Sequence, residues 1–224
     1  MESSQESESD WPGNESRFVA LWQRTLPPVA AVASTVYGRL RTLYGESHRR
    51  YHGFNHIQRC LSEFDLVADG VANPDTIEMA LWFHDAIYVP GAKDNEWRSA
   101  ELFRGYAAAC ANSTFVQRVE ALIMATTHAG IPDQADERFI TDIDLCSFGL
   151  GWEQFAADGR QIRAECPQMS DQKYFAGLLR FLQALLNRPT FFFTEHFEQR
   201  YGQIARANTL RLIEELQAHG YDGR

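Results

Sequence analysis

The apolar stretch between Ile77 and Ile87 constrains the fold more than any other part of the sequence. Nearly every residue in it is hydrophobic, which predicts a helix that is apolar on all sides and runs through the interior of a domain. His84 and Asp85 interrupt this stretch side by side. A buried carboxylate is costly unless it is paired or coordinates a metal, and imidazole is the commonest metal-binding side chain. This dyad is therefore the first candidate for chemistry.

The composition limits the classes of function. With 224 residues, of which 45% are hydrophobic, the chain can form one large domain. Its formal net charge of -9 argues against a nucleic-acid polymer as partner, because phosphate contacts need clustered Lys and Arg. An anionic substrate would then be held by a few local cations or by a metal. The four cysteines form no CxxC pair, so we expect reduced core thiols: Cys60, Cys110, Cys146 and Cys166.

The sequence contains neither a membrane-spanning run nor a basic leader, so we expect no membrane association and a cytoplasmic protein. Residues 1–14 are rich in Ser and Glu and are predicted to be a disordered tail. Residues 15–224 are predicted to form a single domain, with the metal site within 48–148 and further helices within 151–219.

Helix signals recur along the whole domain. Ser16 is predicted to cap the first helix, and Asn73 followed by Pro74 is predicted to open the apolar helix. A long C-terminal helix is expected from about Thr194 to His219. The sequence shows no alternating strand pattern and no internal repeat. The predicted fold class is therefore all-α, an irregular helical bundle.

Four candidate ligands fall on three separate predicted helices: His56, then His84 with Asp85, then Asp144. Two imidazoles and two carboxylates suit a divalent ion such as Mn, Fe, Co, Ni, Zn or Mg. Such a set leaves coordination positions open for water and substrate, as a catalytic site requires. The ion would lower the pKa of a bound water and neutralise charge on a phosphoryl oxygen. Hydrolysis is the reaction that this arrangement favours.

The order of these residues resembles the HD-domain superfamily of metal-dependent phosphohydrolases. YHGFNHI resembles the Tyr-His-x-x-x-His segment of cyclic-nucleotide phosphodiesterases, and DIDLCSFG resembles the closing Asp-Leu segment. Together with WFHDAIYVPGAKDNE, these segments are similar to a bacterial subgroup of predicted HD-domain phosphohydrolases, which implies no particular substrate. The resemblance implies that His56 binds metal, that His52 protonates the leaving oxygen, and that Asp144 is the last ligand.

Several further residues are predicted at the site. Asp142 is the alternative to Asp144, because residues two apart on a helix do not face the same way; it would otherwise cap a helix or support a ligand. The resemblance places a substrate or second-metal histidine near His128, whose alternative is a structural role at a helix end. Lys93 and Glu96 directly follow the apolar helix. We expect Lys93 to contact the substrate phosphate and Glu96 to orient the attacking water.

The leading hypothesis is thus a metal-dependent hydrolase of a phosphomonoester or phosphodiester in a small metabolite or nucleotide, acting through a metal-activated water. The alternatives are an HD-type di-iron oxygenase, which would need His128 as an additional ligand, and a non-catalytic binding or regulatory module. The run from Phe191 to Phe193 is predicted to lie in the core, with a homodimer contact as the alternative. His48, His196 and His219 are predicted to lie at the surface.

Overall fold

Helices make up the regular structure of the chain. The computed structural model describes residues 11–111 and 113–223, and within these ranges it contains no β-strand, which confirms the predicted all-α class. Short 3-10 turns connect several helices, and a π-helical segment, Glu198–Gly202, joins α10 to α11. The α-helices are α1 (Trp11–Thr25), α2 (Ala33–Tyr44), α3 (Phe54–Asp65), α4 (Pro74–Phe83), α5 (Asn95–Tyr106), α6 (Thr114–Ala125), α7 (Ala135–Leu145), α8 (Trp152–Ala164), α9 (Asp171–Leu186), α10 (Glu195–Phe197) and α11 (Gln203–Ala218).

The first helix begins earlier than predicted. It starts at Trp11, within the segment predicted as a tail, so Ser16 lies inside the helix rather than at its cap. Pro12 is compatible with this start, because proline is tolerated in the first turn, where its missing N–H is not needed. The rest of the predicted tail, residues 1–10, lies outside the described residues.

Helix α4 occupies the interior, as its apolar sequence predicts. Its residues from Ile77 to Phe83 are all buried, and α1, α3, α6 and α7 pack around it. Aromatic rings hold α1 against it: the ring centroids of Phe18 and Trp82 lie 5.5 Å apart in an edge-to-face arrangement. Buried aromatic side chains of this size dominate the energetics of a core. The end of α4 is therefore fixed rigidly in the middle of the fold.

A second, smaller hydrophobic cluster forms between α9 and α11, around Leu179, Leu182, Ile213 and Leu216. These helices lie beside the main core, with Phe148 in contact with both clusters. In the described part of the chain, no helix is both long enough and apolar enough to cross a bilayer.

The C-terminal region agrees with its predicted helix, which runs with its π-helical segment from Glu195 to Ala218. Phe191 and Phe192 belong to the main core, and Phe193 is half-buried, with the Arg188 guanidinium 4.6 Å from its ring centroid. These positions agree with the core interpretation of the phenylalanine run, while the homodimer stays a prediction.

Candidate metal centre

The four predicted ligands lie together, although they come from three distant parts of the sequence. His56 lies in α3 and Asp144 in α7, while His84 and Asp85 form the turn that directly follows α4 rather than part of the helix itself. The Nε2 atoms of the two histidines are 3.2 Å apart. His56 Nε2 lies 3.5 Å from Asp85 Oδ2 and 3.1 Å from Asp144 Oδ1. The corresponding distances from His84 Nε2 are 3.2 and 3.5 Å.

These spacings fit a divalent ion. With metal–ligand distances of about 2.0–2.2 Å, neighbouring donor atoms are about 3.0–3.5 Å apart in octahedral or tetrahedral geometry. The orientation of His84 also fits, because its Nδ1 lies 2.9 Å from the carbonyl oxygen of Leu81. When Nδ1–H donates to that carbonyl, the neutral ring presents the lone pair of Nε2 to the centre.

Cys60 also lies beside this cluster. A buried group of His56, Cys60, His84 and Asp144 could hold a metal ion. However, the Cys60 sulfur lies almost equally far from the two ring nitrogens of His56, 3.9 Å from Nδ1 and 3.7 Å from Nε2. It is therefore not aligned with the Nε2 donor in particular, whereas Asp85 Oδ2 approaches both Nε2 atoms. Geometry thus favours Asp85 over Cys60 as the fourth donor.

The electrostatics of the cluster favour a cation. Burial alone would raise the pKa values of Asp85 and Asp144, but the surrounding imidazoles outweigh it and hold both values well below the usual range. Burial would likewise lower the pKa of His84, yet these two carboxylates raise it well above its ordinary value. The site therefore carries two ionised carboxylates, and a metal ion would compete with protons for the imidazoles.

Asp142 and Asp144 point in different directions, as their spacing predicts. Asp142 is fully buried and accepts hydrogen bonds from the backbone N–H groups of Phe193 and Thr194 and from the Thr194 hydroxyl, at 2.7–2.9 Å. It therefore anchors the segment that leads into α10. Asp144 is the member of the pair that reaches the candidate metal centre.

His128 lies next to Asp144 but beyond the end of α6, which stops at Ala125. Its Nε2 is 2.9 Å from Asp144 Oδ2, on the opposite side of the carboxylate from His56. Among the described residues it is the one non-glycine with a positive φ, at 53°. Its Nδ1 is buried and has no hydrogen-bond partner. Non-glycine residues seldom adopt a positive φ, and such residues concentrate at functional sites; a site role for His128 stays a prediction.

His52 is held by Glu165, a residue that the sequence analysis did not identify. Its Nδ1 lies 2.6 Å from Glu165 Oε2, and the backbone N–H groups of Arg50, Tyr51 and His52 donate to Glu165 Oε1 at 2.7–2.9 Å. Burial lowers the pKa of His52, but the hydrogen bond to Glu165 and nearby carboxylates raise it overall. This ion pair keeps the pKa of Glu165 down at about 2, despite its burial.

Arg49 joins two of the chain segments that form the site. Its side chain is fully buried and donates hydrogen bonds to the carbonyl oxygens of His52, Asp85 and Ala86, at 2.6–2.9 Å. Three carbonyl acceptors match the fork of donors on a guanidinium. Arg49 therefore fixes the loop before α3 relative to the turn after α4. Its hydrogen bonds also satisfy the backbone carbonyl groups of Asp85 and Ala86 in the turn that contains the His-Asp dyad.

A cavity of about 320 Å³ adjoins the cluster. At its polar end it is lined by His52, Asp85, Glu96, His128 and Asp144. Its opposite wall is apolar and comes mainly from α8, α9 and α11. A volume of this size is at the lower end of the range for ligand-binding pockets.

Lys93 and Glu96 differ in their position relative to the cavity. Glu96 lines the cavity, and burial, with Asp85 and Asp144 nearby, raises its pKa. Lys93 is exposed and is not among the described residues that line the cavity, so its predicted contact with substrate has no geometric support. The chain turns at Gly91, with φ of 81°, and enters α5 at Asn95, which brings Glu96 but not Lys93 to the cavity.

Four supporting residues carried weak sequence signals or none. Asn95 and Ser99 of α5 bond the backbone of Val89 and Ile87, which holds the loop after the dyad. Asn95 belongs to the DNE segment quoted for the resemblance. Glu165 and Arg49 could not be identified by spacing, because a charged residue in a polar helix or loop is usually solvated.

No family model, no curated protein and no solved structure matches this chain significantly.

Proposed function

We propose that this chain is a metal-dependent hydrolase of phosphomonoesters or phosphodiesters, built on an HD-type helical domain. The observation that supports the proposal most strongly is the approach of two histidine nitrogens and two carboxylate oxygens to one point, with distances of 3.1–3.5 Å, at the end of a cavity. We assign His56, His84, Asp85 and Asp144 as the metal ligands. A divalent ion there would polarise the phosphoryl group and lower the pKa of water.

The residues around the ligands have distinct roles in this proposal. His52 lines the cavity, and its hydrogen bond to Glu165 raises its pKa against the effect of burial, which favours the protonated ring; in this proposal it binds a phosphoryl oxygen or donates a proton to the leaving oxygen. Glu96 has a raised pKa and orients water at the same end. His128 contacts Asp144 and positions that carboxylate or the substrate.

The experiment combines metal analysis with hydrolysis of a generic aryl phosphate in the presence of Mn²⁺ or Co²⁺. Wild-type protein should bind close to one ion per chain or more and hydrolyse the ester. Asp85→Ala should lose both metal binding and hydrolysis, because the turn after α4 would then supply only His84 as a metal ligand. A wild-type protein that takes up none of the divalent ions named above, or hydrolyses no phosphoester in a broad panel, would overturn the proposal.

The matched control is Asp142→Asn, two residues from Asp144 in the same helix. Asp142 bonds Phe193 and Thr194 rather than the cluster, so the folded variant should keep its metal. Asp144→Asn should lose it. Equal loss of metal in both variants would indicate that general damage, not ligand removal, causes the effect.

A di-iron oxygenase is the second candidate, because His128 adds a donor to the set. Asp144 faces His56 and His84 with Oδ1 and His128 with Oδ2, a geometry that also suits a carboxylate bridging two ions. About two iron ions per chain, with an oxygen-dependent optical spectrum lost in His128→Ala, would favour this function.

A non-catalytic module with a closed structural metal is the third candidate. The cavity lined by Asp85 and Asp144 supports an open, catalytic site instead. Full metal occupancy without any turnover of phosphoesters would favour the non-catalytic alternative.

A further inference from the structure

The wall of the cavity opposite the candidate ligands is apolar. Six of its residues are hydrophobic side chains supplied by the segment after α7 and by α8, α9 and α11: Phe148, Phe155, Ile162, Leu178, Phe181 and Leu212. Several of them, including Ile162, Leu178 and Leu212, are only partly buried by the protein itself. A ligand in the cavity would therefore cover apolar surface that the fold leaves accessible.

A second cavity adjoins the same hydrophobic side chains. It has a volume of about 280 Å³ and shares Phe155, Leu178 and Leu212 with the first cavity. Its lining is mixed, because Arg160 and Arg163 line it together with Phe175. The shared side chains therefore provide an apolar surface against which a hydrophobic group of a ligand can pack.

The polar end carries little positive charge for a polyanion. Among the described residues that line the first cavity, none is Lys or Arg, while four are carboxylic: Asp85, Glu96, Asp144 and Asp158. Of these, Asp158 is bonded to the Arg59 guanidinium at 2.6 Å. A divalent ion would be balanced by Asp85 and Asp144, and a positive charge on His52 would be balanced by Glu165, which lies 2.6 Å from its ring. Sites for nucleoside triphosphates instead carry several cations for their phosphates.

We infer that the substrate is an ester of a single phosphate group with an aromatic or alkyl group, whose apolar part lies against Phe181, Leu178 and Leu212. This inference rests on the proposed function and names its substrate class. In the hydrolysis, water adds to phosphorus, the P–O bond to the apolar alcohol breaks, and the alcohol leaves with a proton. Nucleoside triphosphates and sugar phosphates are disfavoured by charge and by polarity, respectively.

Binding of non-hydrolysable analogues tests the inference without requiring turnover. Calorimetry on the Mn²⁺-loaded protein should show that phenylphosphonate binds at least about tenfold more tightly than methylphosphonate, with a negative heat-capacity change. Turnover of phenyl phosphate should likewise exceed that of glycerol phosphate and ATP in kcat/KM. Equal binding of the two phosphonates, or preference for ATP, would overturn the inference.

Two leucines of α11 give a matched pair of variants. Leu212 lines both cavities, whereas Leu210 is 51% exposed and is not among the residues described as lining either. Leu212→Ser should weaken phenylphosphonate binding about tenfold and leave methylphosphonate binding unchanged, and Leu210→Ser should alter neither. If Leu212→Ser has no selective effect, the apolar wall does not bind the substrate.

The outcomes separate the inference from the proposed function. If methyl- and phenylphosphonate bind alike and phosphoesters are hydrolysed without preference, only the substrate class is wrong. If the protein takes up no metal and binds neither phosphonate, the proposed function fails, and the inference fails with it.

Discussion

Replacing Glu165 with glutamine tests how the loop carrying His52 is held. The carboxylate accepts three backbone N–H groups and the His52 ring, and its side chain is fully buried. Its pKa falls from an ordinary 4.5 to about 2, which corresponds to about 3 kcal/mol of stability at neutral pH. The raised pKa of His52 reflects the same ion pair and is not added. We therefore expect Glu165→Gln to lower the free energy of unfolding by about 3 kcal/mol.

The sign of the pH dependence follows from the lowered pKa. A carboxylate with a depressed pKa stabilises the fold above its unfolded pKa, and this contribution is lost as the pH falls through the folded value. The difference in the free energy of unfolding between wild type and Glu165→Gln should therefore be largest at neutral pH and shrink as the pH drops from about 5 toward about 2.

Urea unfolding followed by tryptophan fluorescence, with metal chelated in all samples, measures this difference. Glu153→Gln is the matched control, because Glu153 is an exposed glutamate in the first turn of α8, the helix that Glu165 directly follows. It should change stability by less than about 0.5 kcal/mol. Equal stability of wild type and Glu165→Gln at neutral pH, or a difference independent of pH, would refute the assigned role of Glu165.

Three further perturbations probe other parts of the site. His128→Gly should be more stable than His128→Ala by about 1 kcal/mol in thermal unfolding, because glycine tolerates the positive φ. Equal stability of these two variants would show that the backbone at this position is not strained. Arg49→Lys should lower the free energy of unfolding by about 2 kcal/mol, because an ammonium group cannot reproduce the three carbonyl contacts. The control Arg50→Lys, at an exposed position, should leave stability nearly unchanged. Similar losses of stability in both variants would contradict this reasoning. Burial raises the pKa of Asp142 to about 6. The free energy of unfolding of the wild type should therefore fall by about 3 kcal/mol relative to that of Asp142→Asn as the pH rises from about 4 to above 6. Parallel stability curves of the two proteins would contradict this prediction.

The helical class could be predicted from the sequence because it depends on local periodicity. The continuous apolar pattern of α4 identified the helix that lies in the interior, and the His-Asp pair after it marked the turn where the candidate ligands lie together. Spacing also predicted that Asp142 and Asp144 point in different directions, since residues two apart on a helix face different ways, whereas the choice of Asp144 as the ligand came from the resemblance. The helical conformation of residues 11–14 was not predicted, because the Ser- and Glu-rich composition of residues 1–14 indicated disorder.

The supporting residues could not be predicted for a different reason. Glu165 is more than a hundred residues from the loop it binds, and no local pattern distinguishes it from a solvated glutamate. The same applies to Arg49, whose partners in the dyad turn lie 36 and 37 residues away. The prediction for Lys93 rested on nearness in sequence to the dyad, and the turn at Gly91 lies between them, so sequence separation alone did not establish its distance from the cavity.

The two ends of the cavity derive from separate stretches of the chain. The candidate ligands come from α3, the turn after α4, and α7, whereas the hydrophobic wall comes mostly from α8, α9 and α11. Substitutions of the hydrophobic wall residues can thus reshape what the cavity accommodates without replacing any candidate metal ligand. Related chains could diversify in specificity by drift in their C-terminal half alone, and the same region is where a protein engineer would randomise positions to obtain new selectivity.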